Sequence, residues 1–477
     1  MTAPSRTRRT RVTIIGGGSY QWTPRLLVDF VNTPVVRDAE IVLHDIDAAP
    51  LPRMVELAQH LAAVRGVSLT ARATTDRRDA LRDTDFVVVN ISTGGFRSMR
   101  HDLEIPERHG VRQSVGDTVG PGGVMRALRN IPVFLDIARD IEELSPDAWV
   151  LNLTNPMTTI CRSLTRETRL KTVGLCHEIT VTQFLLSLLL GVRFLHLTLE
   201  VGGVNHLPFV TAVDVAGDGA GDEAGAGDDG LARLRELVRD ADARADEPLP
   251  MDLPDGLELV KHFPSPHWTR GDLMANWRVK LELFERFGVL PGAGDRHLAE
   301  FFPNFITDAS GWGARWGFGL TSIETRKRHQ REHVAALDAM LASDTVDAMP
   351  SGEMVAPVVQ CLVLDQPGRF PLNIPNDGQV ADLPLGAMVE SMCIVDGGGV
   401  RGSEAVSVPA PMAEVLRRVS SSQELTVDAA VRGDRDAAFA AMLLDPLTSR
   451  LDYDDVATMT DEMLAATAEW LPQFARA

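Results

Sequence analysis

Short β-rich apolar runs alternate with helical patterns through roughly the first 200 residues, and this alternation restricts the fold more than any other feature of the chain. The runs are Val12–Ile15, Ile41–Leu43, Leu69–Ala73, Phe86–Val89, Trp149–Leu153 and Lys171–Gly174. Between them Leu26, Leu27, Phe30 and Val31 recur at helical spacing, as do Val55, Leu57, Ala58 and Leu61, and later Ile131, Phe134, Leu135 and Ile137. Apolar strands separated by amphipathic helices predict an α/β fold, a doubly wound parallel sheet covered on both faces. After Gly191 the pattern changes. Leu195–Val201 and Leu207–Val213 flank a Gly-Gly-Val-Asn turn and predict an antiparallel pair. Residues 214–230 are rich in glycine and acid and read as a surface loop, and helical patterns follow near Glu324–Leu341 and Asp428–Leu444. The expected organisation is a parallel α/β domain over 1–195 and a mixed α+β domain over 196–477.

The end of the first run narrows the reading. Gly16, Gly17, Gly18 and Ser19 lie between a strand and a helix, where backbone N–H groups and the helix N-terminus receive a pyrophosphate. The turn departs from G-x-G-x-x-G, since Gln21 stands at the last glycine position. After the second strand come Asp45 and Asp47. A carboxylate there binds ribose hydroxyls and repels a 2′-phosphate, which predicts NAD rather than NADP. A Rossmann-like domain is expected.

Charge and cysteine usage exclude several classes. The 477 residues hold 47 Lys and Arg against 66 Asp and Glu, a net charge of −19 that repels nucleic acid and anionic membranes. No apolar stretch approaches a membrane span, and the basic start runs into a strand without an apolar targeting segment. Cys161, Cys176, Cys361 and Cys393 are too sparse for a disulfide scaffold, so a cytoplasmic location is expected.

Polar residues gather at predicted strand ends, where open α/β sheets bind ligands. Asn152 and Asn155 follow one strand, Cys176-His177-Glu178 the next, and His206 lies in GGVNH. A cysteine and a histidine suit a divalent transition metal with open positions, although Cys176 taken alone reads as buried core before ligand and His206 could simply satisfy a backbone carbonyl.

The run from Gly94 to Pro156, with GGGS, LCHE, GGVNH, GAGDRHLAEFFP at 292–303 and LNIPNDG at 372–378, resembles glycoside hydrolase family 4 in collinear order. Cys176-His177-Glu178-Ile179 is similar to the Cys-His-Glu-Val form of its α-galacturonidase members. The resemblance implies a hydrolase that keeps NAD bound, requires Mn²⁺ or another divalent metal, and runs oxidation, elimination, addition and reduction without net redox change. It implies Cys176 and His206 as metal ligands, Asn155 holding sugar hydroxyls, and His177 orienting substrate or assisting the leaving group. Many members use a tyrosine as the C2 base, but here only Tyr20 and Tyr453 are present, so Asp295 in GAGDRH takes the expectation.

The expected substrate is a small α-linked uronide. Its carboxylate needs local positive charge in so acidic a chain, which points to Arg296, His297 and Arg100. The alternatives are an α-galactosidase or α-glucuronidase of the same family, an NAD-dependent dehydrogenase of lactate/malate type, and an NAD-binding regulatory protein. A homodimer or homotetramer is carried over from the resemblance.

Overall fold

The computed structural model describes residues 9–216, 228–249, 268–345 and 351–476. Thirteen strands form one sheet: β1 (Arg11–Ile15), β2 (Glu40–His44), β3 (Thr70–Thr74), β4 (Phe86–Val89), β5 (Trp149–Asn152), β6 (Lys171–Leu175), β7 (Leu197–Val204), β8 (Leu207–Val215), β9 (Asp228–Asp229), β10 (Leu290–Pro291), β11 (Gly368–Pro375), β12 (Met388–Asp396) and β13 (Gly399–Gly402). Their order is β10-β8-β7-β12-β11-β6-β5-β4-β1-β2-β3, with β13 beside β12 and β9 beside β8. The six strands β1–β6 are parallel, in the order 3-2-1-4-5-6 of a dinucleotide-binding fold. From β6 onward the sheet continues antiparallel through β11, β12, β7 and β8. Hydrogen bonding is therefore unbroken across residue 195.

Two readings of the later sequence are corrected. Gly202, Gly203 and Val204 belong to β7, and the hairpin turns on Asn205 and His206. The glycines serve close packing: a Cβ on Gly203 would lie 2.4 Å from the Leu207 carbonyl oxygen, and one on Gly202 would lie 2.2 Å from Val406. The pattern across 428–444 divides into helices Ala410–Arg432 and Arg435–Leu444. Gly433 breaks it at φ 70°, and Asp434 caps the second helix by accepting the Ala437 N–H. The acidic loop lies mostly outside the described residues. Its flanks, Asp214–Val215 and Asp228–Asp229, pair as strands. Among the described residues no helix is long and apolar enough to cross a membrane.

The helix Gly120–Leu144 runs through the largest apolar cluster, with Met125, Leu128, Ile131 and Phe134 buried. One polar contact in this layer is decisive. Arg129 donates Nη1 to Asp102 Oδ1 at 2.8 Å and Nη2 to Oδ2 at 2.6 Å, with both side chains almost wholly buried. The pair ties the helix Gly95–Arg108 to the long helix and thereby closes the segment between them, 109–119. Asp102→Ala strands a buried guanidinium and should cost ~3–5 kcal/mol, read as a shift in urea unfolding. A loss under ~1 kcal/mol, the size of an exposed pair, would contradict this account.

Candidate active site

The glycine turn is built for close approach. Gly16 sits at φ 89°, and a Cβ there would lie 1.9 Å from the Asn90 carbonyl oxygen, so no other residue fits. The Gly18 N–H donates to Asp45 Oδ2 at 3.0 Å, and Ser19 Oγ accepts the Trp22 N–H where the helix Trp22–Asn32 begins. Asp45 Oδ1 accepts the Asp47 N–H, while Asp47 is exposed and accepts the Ala49 N–H. The turn, the helix N-terminus and the two carboxylates thus lie together and fit a dinucleotide.

His206 lies at the tip of the β7–β8 hairpin at φ 64°. A non-glycine residue holds this left-handed conformation only when its surroundings fix it. Here Thr118 Oγ1 lies 2.8 Å from His206 Nδ1 and 2.9 Å from Asp117 Oδ1. A hydroxyl that donates to the carboxylate must accept from Nδ1–H, which leaves the Nε2 lone pair for a ligand. The His297 ring stacks 3.8 Å from that of His206, and ligand atoms of Asp117, His206 and His297 all lie within 4.8 Å of one another. His297 Nδ1 is buried without a partner. Burial and His297 push His206 down to about 3, so its imidazole is neutral near pH 7. Two imidazoles, one with an orphaned nitrogen, and a carboxylate fit a divalent transition metal.

Cys176 is not one of these three. It is buried at the end of β6, near the Asn205 side chain and the Glu178 N–H, and burial with Glu390 and Glu178 pushes its thiol well above the usual range. The Asn205 side chain also donates to buried Glu390 at 3.0 Å. His177 Nδ1 lies 3.4 Å from Glu353 Oε1. Burial opposes the charged ring, but Glu353, followed by Glu178, outweighs it and raises His177 to about 9. Asn155 gives its carbonyl to Arg126 Nε and Asn130, and its Oδ1 is buried without a partner. Asn152 turns inward to Thr154.

Asp295 lines the site, and burial pushes its carboxyl up to about 6 although backbone N–H groups hold both of its oxygens. Its Oδ2 accepts the Val279 N–H at 2.9 Å and its Oδ1 the Lys280 N–H at 3.0 Å. The helix Arg278–Phe287 has no capping side chain of its own at Trp277, and Asp295 supplies the cap from outside. Arg100 is a correction. It is exposed and pairs with Glu104 one turn along its own helix, at 3.1 Å. Arg296 and His297 do reach the site, on the wall of a 510 Å³ cavity that also takes in Glu178, Asp295, Arg326 and His329. Asp117, Glu353 and Arg326 escaped sequence reading. Asp117 stood inside the quoted run from Gly94 to Pro156, and Arg326 and His329 share one face of a helix read only for its periodicity.

Asp295→Ala removes an acceptor for two helix N–H groups and should cost ~1–2 kcal/mol in urea unfolding. A variant as stable as the parent would contradict the anchoring role.

Comparison with known proteins places this architecture. The family model for "Family 4 glycosyl hydrolase" matches residues 11–192, and that for its C-terminal domain matches 201–448. An α-galacturonidase of Thermoanaerobacterium saccharolyticum is 32% identical over 96% of this chain and 96% of its own length. An α-galactosidase of Bacillus subtilis is 30% identical over 97% of this chain and 99% of its own. A crystal structure of a Bacillus subtilis protein, 30% identical, superposes with a TM-score of 0.81 over 96% of this chain and 100% of that one. A 6-phospho-α-glucosidase from gut microorganisms, solved with NAD and Mn²⁺, shares the fold at 24% identity and a TM-score of 0.77, over 97% of this chain and 99% of its own. The chain belongs to glycosyl hydrolase family 4.

Proposed function

We propose that this glycosidase cleaves small α-linked hexuronides, with α-galacturonides foremost, by a redox-neutral course that uses bound NAD and a divalent metal. The observation that carries the metal-assisted reading is the grouping of Asp117, His206 and His297 beside an open cavity at the strand ends. NAD supplies reversible hydride transfer when bound, and the metal supplies stabilisation of negative charge on a substrate oxygen.

The chain's own residues do the rest. Gly16–Ser19 and the following helix receive the pyrophosphate, and Asp45 and Asp47 face the ribose. His206, Asp117 and His297 would hold the metal, with Cys176, which lies near the Asn205 side chain at the hairpin tip, as the further ligand that the family resemblance supports. Asn155 Oδ1, buried and unpartnered, accepts a sugar hydroxyl. Glu353 draws the Nδ1 proton of His177 and leaves Nε2 to donate to the departing glycosidic oxygen, a role suited to a ring still protonated at neutral pH.

The α-galactosidase and α-galacturonidase relatives are about equally similar, so sequence distance does not choose between neutral and anionic sugars. The make-up of the cavity wall supports the anionic sugar. Arg296, Arg326 and His329 gather there in a chain of net charge −19, which suits a carboxylate on the sugar. With NAD, Mn²⁺ and a thiol reductant, the purified enzyme should release nitrophenol faster from 4-nitrophenyl α-galacturonide than from the α-galactoside. NAD should be needed in catalytic amount, and no NADH should accumulate. Stoichiometric NADH would mark a dehydrogenase, and faster cleavage of the galactoside would overturn the uronide assignment.

A further inference from the structure

Two arginines on the cavity wall reach it from different elements, Arg296 from the helix Asp295–Phe301 and Arg326 from the helix Ile323–Leu341. Each is pinned at one end only. Arg296 Nη2 donates to the Ser114 carbonyl at 2.5 Å and Arg326 Nη2 to the Val115 carbonyl at 2.8 Å, so successive carbonyls of one segment aim the two side chains side by side. The Nε atom of each is buried and has no hydrogen-bond partner. Among the described residues neither forms an ion pair, although most arginines of this chain that approach a carboxylate do so at hydrogen-bonding distance.

Adjacent, partly buried guanidinium groups without a counter-ion are unfavourable. None of the nearby described acids forms an ion pair with either arginine, although Glu300 Oε2 is buried without a partner. Glu300 gives Oε1 to the Val115 and Gly116 N–H groups, Glu178 gives Oε2 to the Gly294 N–H, and Asp117 stands with the two histidines. An anion delivered by the substrate is the missing partner. A planar fork left with an unpaired Nε–H suits a carboxylate better than a hydroxymethyl group, which carries no charge to offset the pair.

We infer that Arg326, acting with Arg296, is the specificity-determining residue that binds the C6 carboxylate of the sugar. The inference rests on the uronide reading above, and it selects hexuronides over hexoses at that same site. Arg100, remote and paired with Glu104, has no part in it.

The test compares Arg326→Gln and Arg326→Lys with the parent enzyme, loaded with NAD and Mn²⁺, on 4-nitrophenyl α-galacturonide and α-galactoside. Calorimetric titration with free D-galacturonate and D-galactose gives a second readout that needs no turnover. The ratio of kcat/KM for uronide over galactoside should fall ~10–100-fold in Arg326→Gln, with a smaller fall in Arg326→Lys. Galacturonate binding should weaken far more than galactose binding. General damage to the fold depresses both sugars together, so the ratio separates recognition from misfolding. A parent that prefers the uronide while both variants keep its ratio within about threefold overturns the role of Arg326 and leaves the uronide reading intact. A parent that prefers the galactoside overturns the uronide reading, and the inference falls with it.

Discussion

The site depends on how one short segment is held. Residues 113–118 leave the Asp102–Arg129 pair and reach the strand ends, where every backbone group needs a partner. Glu300, fully buried, accepts the Val115 and Gly116 N–H groups on a single oxygen, at 2.8 and 2.9 Å. The carbonyls of Ser114 and Val115 then point to Arg296, Thr321 and Arg326. Thr118, at the far end, orients His206. One carboxyl group thus places the metal-competent acid, the histidine tautomer and the two arginines in a common frame. Burial pushes the Glu300 carboxyl up to about 8, so it holds the segment largely as a neutral acid, and hydrogen bonds buried in this way are costly to break.

The electrostatic design follows from this frame. The chain is strongly acidic as a whole, yet Arg126, Arg296 and Arg326 all lie within electrostatic reach of Asp117 or of one another. Local positive charge at the strand ends suits a nucleotide, a metal-bound oxygen and a sugar carboxylate in one place. The outer acidity keeps other polyanions away. The hairpin that carries His206 extends the same sheet that carries the nucleotide turn, so the turn and the proposed metal ligand share one rigid support.

Much of this was legible in the sequence because it depends on local pattern. The strands β1–β6, the glycine turn and the antiparallel pair all announce themselves through periodicity and glycine placement, with shifts of up to three residues at the ends. His206 and Asn155 were found at strand ends for the same reason. What stayed hidden depends on long-range pairing. Nothing in GAGDRH reveals that the Asp295 carboxylate also reaches back to cap the helix at Arg278. Arg100 looked like an anion partner, but its helix turns it toward solvent and Glu104. Arg326 sits in a helix rich in charge, and only the tertiary fold sets it beside Arg296, far away in sequence. The hairpin turn was misplaced by a few residues because Gly202 and Gly203 answer to packing against neighbouring strands rather than to the turn itself.

The central claim is that Asp117, His206 and His297 meet at a divalent-metal site on the rim of the sugar cavity. Crystals soaked in Mn²⁺ and NAD, with diffraction recorded at a wavelength where manganese scatters anomalously, test it directly. The account predicts one strong anomalous peak within bonding distance of His206 Nε2, with Asp117 and His297 as its nearest side-chain neighbours on that flank. A peak elsewhere in the molecule, or none at this cluster at saturating Mn²⁺, would contradict it.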